Sequence, residues 1–400
     1  MLDLFAGAGG FSQAFSRAGF RIEGAVELDQ SAAATFRANH GDVISAMGIR
    51  EWLDEGDVPP VDVVVGGPPC QGFSTLGKQD PHDVRNKLWG EYVEVVLRAQ
   101  PSYFVLENVG AFTRAPQYGA LSAEVSPGGR LSEYDFVAAV LNAADYGTPQ
   151  ARKRTIFIGY RRGLMVPQMP EPTHSGQHVS VRRAFEERAV SASVETAPLP
   201  TRGSRRDGWG PYESRELHLD RTYSSVSKAR FRSIPENGNR HDLPDHLKTP
   251  CWLNFDGGAS DVMGRLRWDR PSVTIRTEFT KPEKGRYLHP IEDRAITLYE
   301  GALLQGFPDD YLWVGTRTQI AKQIGNAVPI QLGEAIARSI KEALDSRGDS
   351  PADRSATSLV EGHSDASPVQ PVLELTYDPE SLCTELPLQM RVLDSCERRG

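Results

Sequence analysis

Along the first 160 residues, short apolar runs alternate with longer stretches of helical spacing. The apolar runs are rich in β-branched and aromatic residues, as buried strands are. The predicted strands cover residues 1–5, 21–26, 61–65, 102–106 and 155–159. The predicted helices cover residues 13–18, 31–39, 49–54, 88–100 and 131–144. Strands that alternate with helices in this way predict an α/β fold with a mostly parallel, doubly wound sheet.

The pattern changes after residue 160. Residues 161–269 have little periodicity and much Pro, Gly, Arg, His and Ser, which predicts an irregular inserted domain. Regular patterning returns over residues 270–345, with predicted helices near 291–304 and at 331–344 and a predicted turn at 323–329. Residues 346–400 are acidic and rich in Ser, Asp, Pro and Glu, so we predict a largely disordered tail.

Composition excludes several classes of protein. Hydrophobic content of 39% and charged content of 24% are ordinary for a soluble globular chain. No apolar run could span a bilayer and no basic leader precedes the first strand, so we expect a cytoplasmic protein without membrane contact. The four cysteines form no CxxC pair, which argues against a disulfide framework and against a metal site.

Charge is unevenly distributed along the chain. The net charge is −8, yet residues 151–250 contain 18 Lys and Arg against 11 Asp and Glu. Residues 351–400 contain 4 and 9, respectively. A basic middle within an acidic chain is typical of a surface that contacts phosphates, although chance clustering on a solvated face would give the same count.

A stiff loop follows the strand predicted at residues 61–65. Two glycines and two prolines precede Cys70 there, so this thiol is held where open α/β sheets bind ligands. Such a thiol acts as a nucleophile if its pKa is lowered. A turn with an inert, buried cysteine explains the same residues equally well. The polar segment after Ser74 lacks periodicity, and we expect it to close over a substrate.

A second candidate site lies at the first strand. Glycines follow this strand and lead into a helix, which is how a backbone approaches a nucleotide-like ligand. Ser12 replaces the third glycine of the dinucleotide pattern, so this signal is weak by itself. Glu27 ends the next strand, where an acid accepts hydrogen bonds from ribose hydroxyls, or serves only as an acid at a helix start.

Five motifs occur in one order, and together they strongly resemble the DNA (cytosine-5)-methyltransferase family over roughly residues 1–345, except the irregular middle. The motifs are Asp3-Leu4-Phe5-Ala6-Gly7-Ala8-Gly9-Gly10, Gly66-Gly67-Pro68-Pro69-Cys70-Gln71-Gly72-Phe73-Ser74, Glu107-Asn108-Val109, Gln150-Ala151-Arg152-Lys153-Arg154 and Gln323-Ile324-Gly325-Asn326. The resemblance implies an S-adenosylmethionine-dependent methyltransferase sheet. It also implies that residues 161–269 form a target-recognition domain.

The resemblance also implies a covalent mechanism. The thiolate of Cys70 adds to C6 of a flipped-out cytosine, so that C5 becomes nucleophilic enough to take a methyl group from S-adenosylmethionine. Glu107 then contacts N3 and the N4 amine, and must carry a proton to donate one. Arg152 and Arg154 polarise the O2 carbonyl or hold phosphate and loop groups, whereas Lys153 faces solvent.

The cofactor residues are likewise implied by the resemblance. They are Phe5, Gly7, Gly9, Glu27, Leu28, Pro68 and Asn326. Leu28 packs against the adenine, or belongs to the ordinary core. The family has an acid that contacts the adenine amine where this chain has Gly48, so either Asp42 substitutes for it or the contact is lost.

The expected partner is double-stranded DNA, bound by a monomer associated with the nucleoid. A cognate restriction enzyme or other defence proteins are further candidate partners. Alternatives are an RNA cytosine methyltransferase on the same scaffold, a DNA-binding paralogue without activity, and a nicotinamide oxidoreductase. The glycine spacing and the cysteine loop disfavour the oxidoreductase, and the sizeable middle domain favours DNA over RNA.

Overall fold

The computed structural model describes residues 1–68, 87–109, 116–202, 209–253 and 261–346. Three sequence predictions lie outside these residues. They concern Cys70, the closing segment after Ser74 and the tail that follows residue 346.

Among the described residues, seven strands form the central sheet, in the spatial order 3-2-1-4-5-7-6. In chain order they are β1 (Leu2–Leu4), β2 (Gly24–Val26), β3 (Ile44–Ser45), β4 (Val63–Gly66), β5 (Tyr103–Val109), β6 (Tyr134–Asn142) and β7 (Lys153–Arg161). The first five strands are parallel to one another, and β7 runs antiparallel to β5 and β6. The predicted mostly parallel sheet is therefore confirmed.

Helices flank this sheet and build the second half of the chain. They are α1 (Gly10–Arg17), α2 (Gln30–His40), α3 (Ile49–Glu55), α4 (Lys87–Ala99), α5 (Pro116–Val125), α6 (Val181–Glu186), α7 (Ser225–Ser233), α8 (Pro250–Leu253), α9 (Leu298–Leu304), α10 (Arg317–Asn326) and α11 (Ile330–Asp345). A short antiparallel ribbon joins β8 (Tyr212–Glu213) to β9 (Leu312–Trp313). The predicted helices at 31–39, 49–54, 88–100 and 331–344 are confirmed to within one or two residues at each end.

The alternation of side chains along the strands gives the sheet two apolar faces. Val64 and Phe104 belong to a cluster that includes residues of α3 and α4. Val63 and Val105 belong to a second cluster, with residues of α1 and α11. Both faces of the sheet are therefore covered, as a doubly wound fold requires.

The helix predicted at residues 131–144 is wrong. Residues 134–142 form β6, which pairs with β7 over its full length, from Tyr134 opposite Arg161 to Asn142 opposite Lys153. Phe136 also packs on Phe157, with ring centroids 5.7 Å apart. Local preference therefore yields to cross-strand pairing, since strand propensity depends on packing against neighbouring strands.

Two boundaries in the second half of the chain also differ. The turn predicted at residues 323–329 is partly helical, because α10 continues to Asn326 before the chain turns. The helix predicted near 291–304 begins only at Leu298, where Thr297 and Glu300 form a capping box. This cap fixes the start of the helix and excludes residues 291–297 from it.

The irregular middle contributes to more than one core. Phe185 and Leu217 share a hydrophobic cluster with Leu266, Ile296 and Ile324. A smaller cluster contains Phe231, Ile234, Leu243, Met263 and Leu288. The division into a methyltransferase domain and a recognition domain stays a prediction. No helix within the described ranges is both long and apolar enough to cross a bilayer.

Candidate active site

A cavity of about 620 Å³ opens at the carboxyl ends of the parallel strands. Phe5 follows β1, Glu27 follows β2, Pro68 follows β4, and Asn108 lies near the end of β5; all four line the cavity. The chain order of the strands reverses between β1 and β4. Open α/β sheets bind ligands at such a reversal, because the loops diverge there and leave a crevice.

Two parts of this cavity differ in composition. We call one part the glycine half, which is lined by Asp3, Phe5, Gly7, Glu27, Leu28, Met47, Gly48 and Ile49. We call the other part the arginine half, which is lined by Glu107, Arg152, Arg154, Thr274, Ile275, Arg276 and Thr277. Pro68 and Asn326 also line the cavity.

A left-handed turn shapes the glycine half. Phe5, Gly7 and Gly9 have φ angles of 56°, 55° and 91°, so the chain reverses tightly between β1 and α1. Gly9 is not among the residues that line the described cavity; it is the N-cap of α1. Beneath the turn, the buried Asp3 accepts hydrogen bonds from the amide and hydroxyl of Ser12, at 3.2 and 2.7 Å. Burial raises the pKa of Asp3 to about 7.

Glu27 is fixed by the backbone at both carboxylate oxygens. Its Oε2 accepts from the amide of Gly7 at 2.8 Å, and its Oε1 accepts from the amide of Asp29 at 2.7 Å. Burial raises the pKa of Glu27, whereas these two bonds oppose that shift. A carboxylate accepts about four hydrogen bonds, so capacity remains for a ligand that enters the cavity. Leu28 is 71% exposed beside it, unlike a residue of the ordinary core.

Within the described residues, the part of the glycine half formed by Met47, Gly48 and Ile49 has no acidic side chain at the wall. Gly48 lines the cavity and is the N-cap of α3, and a Cβ added to it would meet no atom of the described residues within 4 Å. Asp42 is not part of the described cavity wall; it pairs with Arg37 at 2.6 Å on the surface. In this structure Asp42 is thus directed to Arg37, and its substitution for an acid at Gly48 stays an untested prediction.

Strand register brings the charged pair of the arginine half together. Because β7 runs antiparallel to β5, Val109 lies opposite Arg154 and the start of β7 lies beside the end of β5. The Arg154 Nε is 2.6 Å from the Glu107 Oε1, and each side chain is 14% exposed. This largely buried pair is the only ion pair formed between two side chains of the described cavity wall.

Arg152 has a different environment from Arg154. Its guanidinium donates to the carbonyls of Ile275 and Gly325, at 3.0 and 3.1 Å, and its buried Nε has no partner in the described part of the chain. Burial, with the nearby charge of Arg154, lowers its pKa to about 9. Arg152 thus connects the start of β7 to the segment that contains Ile275 and to α10, through main-chain carbonyls.

Two amide side chains support the junction of the loops. Asn108 donates to the carbonyl of Pro68 at 3.4 Å and accepts from the amide of Val109 at 2.8 Å. Gln150 is buried, and its Oε1 accepts from the amide of Ile275 at 2.9 Å. Pro68, the last described residue before Cys70, is thus held at the wall of the cavity.

The sequence predictions missed part of this site. Asp3, Met47 and Ile49 line the glycine half, and Thr274 to Thr277 line the arginine half. The alternation of apolar and polar residues over 273–276 was a usable signal, since it ends at an arginine. The described ranges contain no cluster of three or more His, Cys, Asp or Glu that could hold a metal ion.

Comparisons with known proteins agree with this geometry. A family model described as C-5 cytosine-specific DNA methylase matches residues 1–342. The Type II methyltransferase M1.HphI of Haemophilus parahaemolyticus is 35% identical over 352 residues, covering 85% of this chain and 86% of that protein. The Type II methyltransferase M.XorII of Xanthomonas oryzae pv. oryzae is 32% identical over 383 residues, covering 88% and 87%.

Solved structures share the fold at lower identity. A prophage-encoded Escherichia coli protein, described as a DNA modification methyltransferase, superposes with a TM-score of 0.62 at 24% identity, covering 86% of this chain and 99% of that one. The Dnmt2 methyltransferase of Spodoptera frugiperda superposes with a TM-score of 0.51 at 17% identity, covering 86% and 98%.

Proposed function

This chain belongs to the C-5 cytosine-specific DNA methylase family, and we propose that it methylates C5 of one cytosine within a specific duplex DNA sequence. The observation that carries this proposal is that one cavity is lined by the Glu107–Arg154 pair, by the glycine turn and by Glu27. Members of this family depend on S-adenosylmethionine, which supplies an electrophilic methyl group.

The glycine half fits this cofactor. Glu27 keeps acceptor capacity for ribose hydroxyls, and the backbone of Gly7 is held against it at 2.8 Å. Leu28 and Ile49 supply apolar surface for the purine beyond the ribose. Phe5, Pro68 and Asn326 would complete the cofactor site, whereas Gly9 would act through the turn. Held by these residues, the cofactor would supply its methyl group to a base in the arginine half.

In the arginine half, we assign Cys70 as the nucleophile. Its thiolate adds to C6 of the cytosine, and C5 becomes nucleophilic enough to take the methyl group that the cofactor would supply, whose bond to the cofactor sulfur would break. Loss of the C5 proton then expels the thiolate and restores the aromatic ring. Glu107 accepts from the N4 amine and, once protonated, donates at N3. Arg154 already contacts Glu107, and we propose that its guanidinium polarises the O2 carbonyl when the base enters.

Arg152 has a supporting role in this proposal. Its bonds to Ile275 and Gly325 hold the wall against which the base would pack. The target cytosine reaches this wall only after it leaves the duplex, because its C6 edge is inaccessible inside the base stack. Residues 161–269 are proposed to recognise the surrounding sequence.

The relatives named as Type II methyltransferases suggest the biological setting. We propose that this chain modifies the site of a cognate restriction enzyme, and that it acts as a monomer. Bisulfite sequencing of plasmid DNA from cells with and without the gene would reveal the methylated sequence. Cytosines protected from conversion are expected at a single sequence motif. If the gene protects no cytosine of the plasmid from conversion, the proposal is contradicted.

A covalent trap tests the chemistry. Duplex DNA that contains 5-fluorocytosine at the target has no C5 proton to lose, so we expect a denaturant-resistant adduct that forms with the wild type in the presence of S-adenosylmethionine. Cys70→Ala should form no adduct and should lose methylation by about 10³-fold or more. Its affinity for S-adenosylhomocysteine should stay near the wild-type value. Adduct formation on transfer RNA but not on duplex DNA would favour the RNA alternative.

A further inference from the structure

Three guanidinium groups line the arginine half, and two of them have partners there. Arg154 pairs with Glu107, and Arg152 donates to main-chain carbonyls. Arg276 is exposed at the cavity wall, and no described residue forms an ion pair or a side-chain hydrogen bond with it. Its neighbour Glu278 pairs with Lys281 at 2.5 Å. Within the described residues, the arginine half therefore presents one guanidinium whose charge is not compensated.

The backbone on either side of Arg276 is fixed. The amide of Ile275 donates to Gln150, and its carbonyl accepts from Arg152. The hydroxyl of Tyr287 donates to the carbonyl of Thr274 at 2.9 Å. The backbone at Arg276 therefore has a defined position, so only the side chain has to be ordered when it binds a ligand.

Gly325 explains how this backbone reaches the cavity. A Cβ on Gly325 would overlap the backbone of Arg276 and Thr277, so only glycine allows α10 to pack this closely. The same residue provides a carbonyl for Arg152. Close packing and hydrogen bonding thus hold residues 275–277 at the cavity while the Arg276 side chain is exposed.

We propose that Arg276 binds a phosphodiester group next to the target cytosine, an inference that rests on the proposed function. When a nucleotide is turned into the cavity, its base enters, but the phosphates on either side remain at the opening. A guanidinium at that opening forms charge-assisted, bidentate hydrogen bonds with phosphate oxygens. Arg276 thereby holds the flipped nucleotide, while Glu107 and Arg154 contact the base.

The test removes the negative charge of one phosphate at a time. Duplexes with a neutral methylphosphonate on the 5′ or the 3′ side of the target cytosine are compared with the unmodified duplex. We expect the wild type to lose about tenfold in affinity for one of them, and Arg276→Ala to lose about as much on unmodified DNA but nothing further on that methylphosphonate. The slope of log affinity against log salt concentration should be smaller for Arg276→Ala by about one, which corresponds to one released counterion.

Lys153→Ala is the matched control, because Lys153 is an exposed cation on β7 that does not line the cavity. This variant should retain the full methylphosphonate penalty. Equal penalties in the wild type and Arg276→Ala, for both modified duplexes, would overturn the inference. Loss of S-adenosylhomocysteine affinity by Arg276→Ala, with DNA affinity unchanged, would overturn it in favour of the cofactor carboxylate.

The covalent trap separates this inference from the proposed function. If the wild type forms no adduct with 5-fluorocytosine duplex, the proposed function fails. If the adduct forms but the methylphosphonate penalties do not depend on Arg276, only the phosphate contact fails. Because the Arg276 side chain is exposed, thermal unfolding of Arg276→Ala should match the wild type and confirm that the variant is folded.

Discussion

The two halves of the cavity are built in different ways. In the glycine half, the contacts join residues close in sequence, as between Gly7 and Glu27, and Glu27 keeps capacity for a ligand. In the arginine half, the contacts join distant segments, as between Arg152 and Gly325, and Glu107 is already paired with Arg154. Under the proposed function, the glycine half is therefore prepared for its ligand, whereas the arginine half would exchange an internal ion pair for contacts with a base.

The largest expected effect breaks that ion pair. Glu107→Gln preserves the shape of the side chain but removes its charge and its ability to transfer a proton. We expect the methylation rate to fall by about 10²- to 10⁴-fold, the range typical of a lost acid or base. The affinity for S-adenosylhomocysteine should change by less than about twofold, because the glycine half is separate. Single-turnover methylation and calorimetric titration would measure the two quantities.

Glu94→Gln provides the matched control for this prediction. It breaks a Glu–Arg pair on α4, between Glu94 and Arg98 at 2.8 Å, which does not line the cavity. Both the methylation rate and the cofactor affinity should remain at wild-type values. Wild-type turnover by Glu107→Gln would mean that the Glu107–Arg154 pair serves the structure and not the chemistry.

The difference between the halves also explains which parts could be predicted from sequence. A strand, a glycine turn and a helix are contiguous, so local pattern could locate the turn at Phe5 and Gly7 and an acid, Glu27, at the end of the next strand, and the family resemblance assigned all three to the cofactor. Their neighbourhood in the cavity follows from the parallel order of β1 and β2. The turn between β1 and α1 required no knowledge of the rest of the chain.

The arginine half could not be assembled in this way. Arg154 reaches Glu107 because β7 is antiparallel to β5, and the helix wrongly predicted at residues 131–144 concealed β6, the other partner of β7. Arg276 reaches the cavity through packing on Gly325. Sequence spacing does not encode such contacts, because they depend on how distant segments pack. The motifs located the residues, but not their hydrogen-bond partners.

The pH dependence of stability tests the glycine half through Asp3, the buried acid beneath the glycine turn. Burial raises the pKa of Asp3 from its usual 3.8 to about 7, so the folded chain binds this proton more tightly than the unfolded chain. The contribution of Asp3 to stability is therefore fully present below pH 4. It decreases by about 1.4 kcal/mol per pH unit as the pH rises towards 7.

Asp3→Asn removes this titration, while its side-chain oxygen can still accept from Ser12. The free energy of unfolding of the wild type should therefore fall between pH 5 and pH 7.5 relative to that of the variant, as measured by urea denaturation. Parallel pH profiles for the two proteins would show that Asp3 is ionised throughout. Such a result would remove the buried acid from the description of the glycine half.

The smallest expected effect concerns the open end of the glycine half. Gly48 has an ordinary extended backbone, with φ −68° and ψ 142°, and the space beside it is empty of described atoms. An aspartate therefore fits there without strain. Its carboxylate could accept from the 6-amino group of the adenine or cap α3, and replacing glycine at an N-cap changes stability by only a few tenths of a kcal/mol.

Gly48→Asp should therefore bind S-adenosylhomocysteine about tenfold more tightly, the effect of one hydrogen bond to a charged group. The inosine analogue has a 6-oxo group in place of the amine and cannot donate to the carboxylate, so its affinity should fall or stay unchanged. An equal gain for both ligands would mean that the introduced carboxylate acts through the helix cap. A gain in affinity for S-adenosylhomocysteine alone would show that the wild-type glycine half lacks one directional contact with the adenine amine. The affinity of the wild type would then depend on the turn, Glu27 and apolar packing.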